Sequence, residues 1–210
     1  MEIDRQEALK RTKIAIQTKK IDELGRQDDY QAVFSTGRGL NESVIRAISA
    51  EKKEPEWMLN YRLRAYQSYL DMPMQTWGPD LSDIDFDAIF YYNKPTHEKY
   101  RDWQDVPDTL KQTFERLGVP EAERRWLAGS SAQYESEVVY HRMKAEFEKT
   151  GIVFTDTDTA VQEYPELVKT YFGSLVKPTN NKLAALNAAV WSGGTFIYVP
   201  KGVQIGRAHV

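Results

Sequence analysis

An α+β fold, mainly helical with short strands, is what this sequence predicts, on three observations. Apolar residues recur at spacings of three and four in successive segments, the period of a helix face. Asn, Asp or Pro stands at the start of most of these segments, and Gly or Pro ends them. Short β-type runs lie between them, the clearest being Thr195-Phe-Ile-Tyr-Val199 after the last helical segment.

The elements follow in chain order. From Met1 to about Gly39, charges of both signs alternate with scattered Ile and Leu, which predicts a flexible arm over 1–38 with a helical pattern near Glu7 to Leu24. Asn41 is a good N-cap, Glu42 suits a first turn, and Val44, Ile45 and Ile48 form an apolar face. That helix stops before Pro55. Pro55 suits the first position of a second helix, in which Met58, Tyr61, Ala65 and Tyr69 recur at helical spacing with Trp57 and Leu70 beside them. The two make a helical hairpin.

Met72-Pro73 and Trp77-Gly-Pro79 break the pattern, and partial alternation predicts a short strand over Ala88 to Tyr92. Pro107 opens a helix with Leu110, Phe114 and Leu117 on one face and Gly118 as its C-terminal cap. Pro120 begins another that ends at Gly129. The run after Ser131 leads into a helix with Val139, Met143 and Phe147 on one stripe, closing at Gly151. Ile152 to Phe154 is a brief strand, Asp156 and Asp158 precede a short helix, and Pro165 begins another that buries Leu167, Val168, Tyr171 and Phe172 before Gly173. A helix from Lys182 then leads to Thr195–Val199. Backbone groups of a terminal apolar strand must be paired or hydrated, so this strand needs either an earlier partner or sequence beyond it. Sequence beyond it is the expectation.

Composition narrows function. A hydrophobic share of 41% supports a real core, and 28 basic against 31 acidic residues give a net charge of -3, which offers no global attraction to nucleic acid or an anionic membrane. The chain has no Cys, which excludes a disulfide framework, a thiolate zinc site and a thiolate-held iron–sulfur cluster on these residues. No apolar run approaches the ~20 residues of a membrane span, and the first residues lack a signal-peptide plan, so a cytoplasmic protein is expected.

Candidate chemistry is sparse. Asp83, Asp85 and Asp87 have calcium-loop spacing, but Ala88 and Lys94 stand where Gly and Glu are needed, so they are read as solvent-facing positions on a half-buried strand. Asp156 and Asp158 suit a divalent cation or an acid–base pair, and suit N-capping better. Glu137 and His141, four apart on a predicted helix with Glu135 nearby, have the spacing of a carboxylate–imidazole metal pair; the only other histidines are His97 and His209. Helix-surface hydrogen bonding is the preferred reading of that pair. Gly129-Ser-Ser is no nucleophile elbow, and Gly193-Gly194 carries no Walker or dinucleotide sequel. Tyr91, Tyr92, Tyr100 and Trp103 form an aromatic cluster whose neighbouring Lys and Arg are offset by acids, so packing is favoured over base stacking.

Four long blocks carry a resemblance: Arg38-Gly-Leu-Asn-Glu-Ser-Val-Ile-Arg-Ala-Ile-Ser49; Lys53-Glu-Pro-Glu-Trp-Met-Leu59 with Arg62-Leu and Met72-Pro-Met; Ser131-Ala-Gln-Tyr-Glu-Ser-Glu-Val-Val-Tyr140; and Ala185 through Gly202. In this order, over about residues 34 to 204, they resemble the N-terminal part of SufB-type scaffold subunits, in the SufB/SufD family of the SUF iron–sulfur cluster assembly system. The resemblance implies a helical N-terminal region (39–180), the start of a right-handed parallel β-helix (181–204), and a longer protein that works with the ATPase SufC and with SufD. It implies no catalytic, cofactor-binding or metal residue here, since the family's cluster-building and ATPase-contacting parts fall beyond Gly202. Some members carry Cys where Thr155 stands. Residues 205–210, Ile-Gly-Arg-Ala-His-Val, depart from the family and match one reading frame of a common sequencing adapter, so a non-native tail is expected there. Inspecting the coding DNA over those codons decides it. The expected function is a non-enzymatic cluster-assembly scaffold, with a cluster in the full-length family and none in this fragment. The alternatives are a stand-alone helical interaction module, and a hydrolase using Asp156 and Asp158 or Glu135 and Glu137.

Overall fold

The computed structural model describes residues 32–95, 100, 103–108, 111, 129–134, 136–143 and 149–204. A helical hairpin forms the centre. Helix α1 (Glu42–Glu51) starts at Asn41, whose side chain accepts the Val44 N–H at 3.1 Å, and it buries Val44, Ile45 and Ile48 as the sequence expects. It closes at Lys52 and at Lys53, whose φ of 51° turns the chain sharply. Helix α2 (Glu56–Asp71) follows, with Pro55 at its N-cap rather than its first helical position. It buries Met58, Ala65 and the charged Arg62, whereas Leu70 is exposed.

After α2 the chain makes a long irregular excursion that contains one 3-10 turn, Phe86–Ala88. The strand predicted over Ala88 to Tyr92 is shifted: Phe90 only bridges Arg38, and strand β2 is Asn93–Lys94. Its partner is β1 (Phe34–Ser35), two residues that fall within the predicted arm. Antiparallel pairing to β2 is what orders them; the arm up to residue 31, including the pattern near Glu7 to Leu24, lies outside the described residues.

The helix beginning at Pro107 is seen only at its start, where the Lys111 N–H donates to the Pro107 carbonyl at 3.0 Å; Leu110, Phe114, Leu117, Gly118 and Pro120 lie outside the described residues. Where the sequence after Ser131 predicts a helix, the described residues up to Met143 form a hairpin instead, and Phe147 lies outside the described residues. Strand β3 (Gly129–Tyr134) pairs antiparallel with β4 (Glu137–Met143), with a register shift at Ala132/Gln133. Consecutive β-branched and aromatic residues, Val138-Val139-Tyr140, suit the pleated surface and outweigh the three-and-four spacing read from Val139 and Met143.

Strand β5 (Val153–Asp156) runs directly into α3 (Thr157–Glu163), and α4 (Pro165–Tyr171) and α5 (Lys182–Val190) follow. Val168 is the buried residue of α4, Phe172 packs just beyond it, and Tyr171 faces solvent, contrary to expectation. Strand β6 (Thr195–Tyr198) then pairs antiparallel with β5, Val153 opposite Tyr198 and Asp156 opposite Thr195. The terminal strand therefore has an earlier partner. That pairing occupies one edge of β6; three helices separate the two strands, so local sequence does not reveal it.

Packing centres on α2. One side of the core joins Met58 to Ala160, Val161, Val168 and Trp191, with Phe196 of β6 packed against it. Another joins Ile45 and Ala65 to Ala188 and Ala189, small residues that allow α5 to lie close along α2. Val44, Ile48 and Tyr92 complete it. No helix among the described residues is long and apolar enough to cross a membrane.

Candidate functional site

Charged side chains are buried between these elements, and they are the best candidates for function. Lys52 is the C-cap of α1. Its Nζ donates to Glu137 Oε1 of β4 at 3.0 Å and to Asp158 Oδ2 of α3 at 2.8 Å; the side chains are 2%, 9% and 12% exposed. The Tyr92 hydroxyl donates to the same Glu137 oxygen, and Lys52 Nζ stands 5.3 Å from the centre of the Tyr92 ring. Burial, then the hydrogen bond to Glu137, then the charges of Glu137, Asp158 and Glu51 push the Tyr92 hydroxyl far above the usual tyrosine range. At the edge, Lys94 of β2 pairs with Glu51 at 2.8 Å.

This cluster joins four segments and is closed. A nucleophilic or base-forming lysine must be reachable by substrate, and Lys52 has its donors committed to two carboxylates out of solvent. Its chemistry is structural. Charges buried with partners do not stabilise strongly against an apolar alternative, but they fix which segments meet.

A second pair of contacts locks α2 to α5. Arg62, fully buried, grips Glu54 with Nε and Nη2 at 2.8 and 2.6 Å, and its Nη1 donates to the Ala189 carbonyl at 3.0 Å. Its guanidinium lies 4.4 Å from the Trp191 ring centre. Lys182 returns the favour, donating to the Tyr69 and Met72 carbonyls at 2.8 Å each. Each helix thus supplies a cation to carbonyls at the other's C-terminal end, where backbone acceptors lack intrahelical donors.

A third contact joins two of the distinctive sequence blocks. Gln133 Nε2 of β3 donates to the Ser192 carbonyl at 3.4 Å, and Gly193 packs so tightly on that amide that an added Cβ would stand 2.8 Å from Gln133 Cδ. Gly193 has a φ of 66°, which also favours glycine. The Gly193-Gly194 pair is a packing turn.

The predicted site residues separate. Asp83, Asp85 and Asp87 lie in or beside the 3-10 turn rather than on a strand, and all are exposed; Asp85 accepts the Asp87 N–H at 3.0 Å. Asp156 caps α3, accepting the Thr159 N–H and hydroxyl at 2.9 and 2.7 Å, whereas Asp158 serves Lys52, so the two do not converge as an acid–base pair. Glu137 and His141 occupy one strand, where four residues span about 13 Å, so the helical metal pair does not exist. Glu135, His97 and His209 lie outside the described residues. Gly129-Ser-Ser opens β3. Tyr92 of the aromatic cluster is fully buried and Tyr91 half-buried, with its hydroxyl donating to the Phe86 carbonyl at 2.9 Å; Tyr100 forms a bridge and Trp103 lies in a 3-10 turn (Trp103–Asp105). Among the described residues no three His, Cys, Asp or Glu side chains are grouped to hold a metal.

Sequence reasoning missed Lys52, Glu54, Arg62 and the pairing role of Glu137. One signal was present: Arg62 lies on the Met58–Ala65 face of α2 at helical spacing, a charge where periodicity demands an apolar residue.

Residues 131–209 match the family described as the SufBD protein N-terminal region. An iron–sulfur cluster assembly SufBD family protein of Staphylococcus aureus strain USA300 is 55% identical over 181 residues, covering 86% of this chain and 39% of that protein. Its counterpart in Staphylococcus saprophyticus is 54% identical over 183 residues, covering 87% of this chain and 39% of its own length. The chain therefore spans 39% of the length of the curated relatives it matches.

Proposed function

We propose that this chain, a SufBD-family sequence, is the N-terminal region of a SufB-type scaffold subunit of the SUF iron–sulfur cluster assembly system. The observation that carries the reading is 55% identity sustained over 181 residues with proteins named for cluster assembly. In this role the region is not an enzyme. It is the cytoplasmic, helical lead-in to a right-handed parallel β-helix, which begins at the edge of β6 that faces away from β5 and has no partner among the described residues. The intact subunit works with the SufC ATPase and with SufD, and its cluster forms on residues supplied by later segments. The composition agrees with this division: 210 residues without Cys offer no thiolate for iron.

The pairing of β6 with β5 favours a second reading, a stand-alone helical interaction module. A chain whose strands find partners internally has less need of a continuing β-helix to stay soluble.

Anaerobic reconstitution of residues 1–210 with iron and sulfide tests the division of labour. The expected result is no stoichiometric cluster by absorbance or iron content. A stoichiometric cluster on the purified chain refutes it.

A further inference from the structure

Residues 72–92, between α2 and β2, form a connection longer than the ~15 residues beyond which irregular loops in compact domains are usually functional. They contain Asp80, Asp83, Asp85 and Asp87 and no Lys or Arg. The same stretch exposes Ile84, Ile89, Phe90 and Trp77, the last 66% accessible. Exposed apolar and aromatic side chains gathered in one stretch mark interaction sites, and Trp is among the residues enriched as interface anchors.

The excursion is held in shape. The Gly39 N–H donates to the Ile89 carbonyl at 3.0 Å, Tyr91 ties back to Phe86, and Asp80 accepts the Ser82 N–H at 2.9 Å. An ordered presentation of this kind reduces the entropy lost on binding.

We infer that this excursion is a docking surface for a basic protein partner, one that brings Lys or Arg side chains beside an apolar pocket for the Trp77 indole. Charge selects the occupant. Four aspartates repel nucleic acid and anionic lipid, and isologous pairing with a second copy sets the same four against one another. A cationic surface is complementary. Two features within the protein show the matching chemistry. Arg38 already lies over the exposed Phe90 ring, its guanidinium 5.2 Å from the ring centre. A groove of about 510 Å³ is lined by Met74, Gln75, Pro79, Asp80 and Leu81 among others, and the shielded Gln75 Oε1 in its wall has no hydrogen-bond donor. A cationic side chain entering the groove supplies that donor after rotation of the amide.

The inference is independent of the scaffold assignment. Selection of a random 12-residue peptide library displayed on phage against the whole chain tests it. The expected peptides carry net positive charge and at least one aromatic or aliphatic residue. Their affinity should fall at least tenfold on Trp77→Ala and on the combined Asp80→Asn, Asp83→Asn, Asp85→Asn and Asp87→Asn variant. Both changes are at exposed positions, and an unaltered melting transition verifies the fold of each variant. Selection of neutral or acidic peptides, no selection at all, or equal binding to the variants overturns it. So does a concentration-dependent dimer in sedimentation that Trp77→Ala abolishes, which would assign the surface to a second copy.

Discussion

Lys52 holds Glu137 and Asp158 with one ammonium group, and removing it leaves two buried carboxylates without their cation. Lys52→Ala is expected to cost about 3–5 kcal/mol, the range for breaking a buried ion pair from one side. Denaturant titration measures it, and a loss under about 1 kcal/mol would show that the cluster is hydrated. Tyr91 and Tyr92 set an alkaline limit. Burial is the first cause in both; it raises the Tyr91 hydroxyl from 10.0 to about 12 and Tyr92 further. Folding therefore favours the neutral phenols. Their contribution is complete below pH 10 and is lost as pH rises through the folded values, beginning with the interval from 10 to about 12 for Tyr91. The denaturation midpoint should fall steadily above pH 10, and less steeply in Tyr92→Phe; a flat profile contradicts the assignment. These residues were hard to read in sequence because periodicity scores apolar positions. Lys52 looks like an ordinary helix-end lysine until Glu137 and Asp158 arrive from distant segments.

At the scale of elements, the caps were legible and the pairings were not. Asn41, Asn181 and Asp156 each precede a helix and each accepts a backbone N–H from three residues on, a relation written within four residues of sequence. Asn181→Ala should destabilise α5 by about 1 kcal/mol, read as a lower melting temperature; no change would mean that the packing of α5 on α2 alone sets its start. The pairing of β3 with β4 is a cross-strand relation, so the helical spacing of Val139 and Met143 misleads over β4, and the partner of β6 lies three helices back at β5. The Gly193 turn tests the tertiary part. Gly193→Ala should cost about 1–3 kcal/mol from its left-handed backbone and its clash with Gln133, and less in a Gln133→Ala background. Equal cost in both backgrounds removes the contact between β3 and the turn from the account.

On the scale of the whole molecule, α2 is the axis: α1 precedes it in a hairpin, α5 lies along it, and Arg62 and Lys182 secure the two C-terminal ends. The helical part of this architecture followed from spacing, whereas the assembly of the blocks depends on Lys52, Gln133 and Arg62 reaching across the chain. The family relation makes the same blocks meaningful, since the stretch aligned with the staphylococcal relatives covers 86% of the chain but 39% of their length. If the proposed assignment holds, this region should substitute for theirs. The most direct measurement is complementation by a chimera in which residues 1–204 replace the matched segment of the Staphylococcus aureus protein, in a strain that depends on that protein. The account predicts restored growth and restored activity of iron–sulfur enzymes. A soluble chimera, present at normal abundance and still unable to restore either, would contradict it.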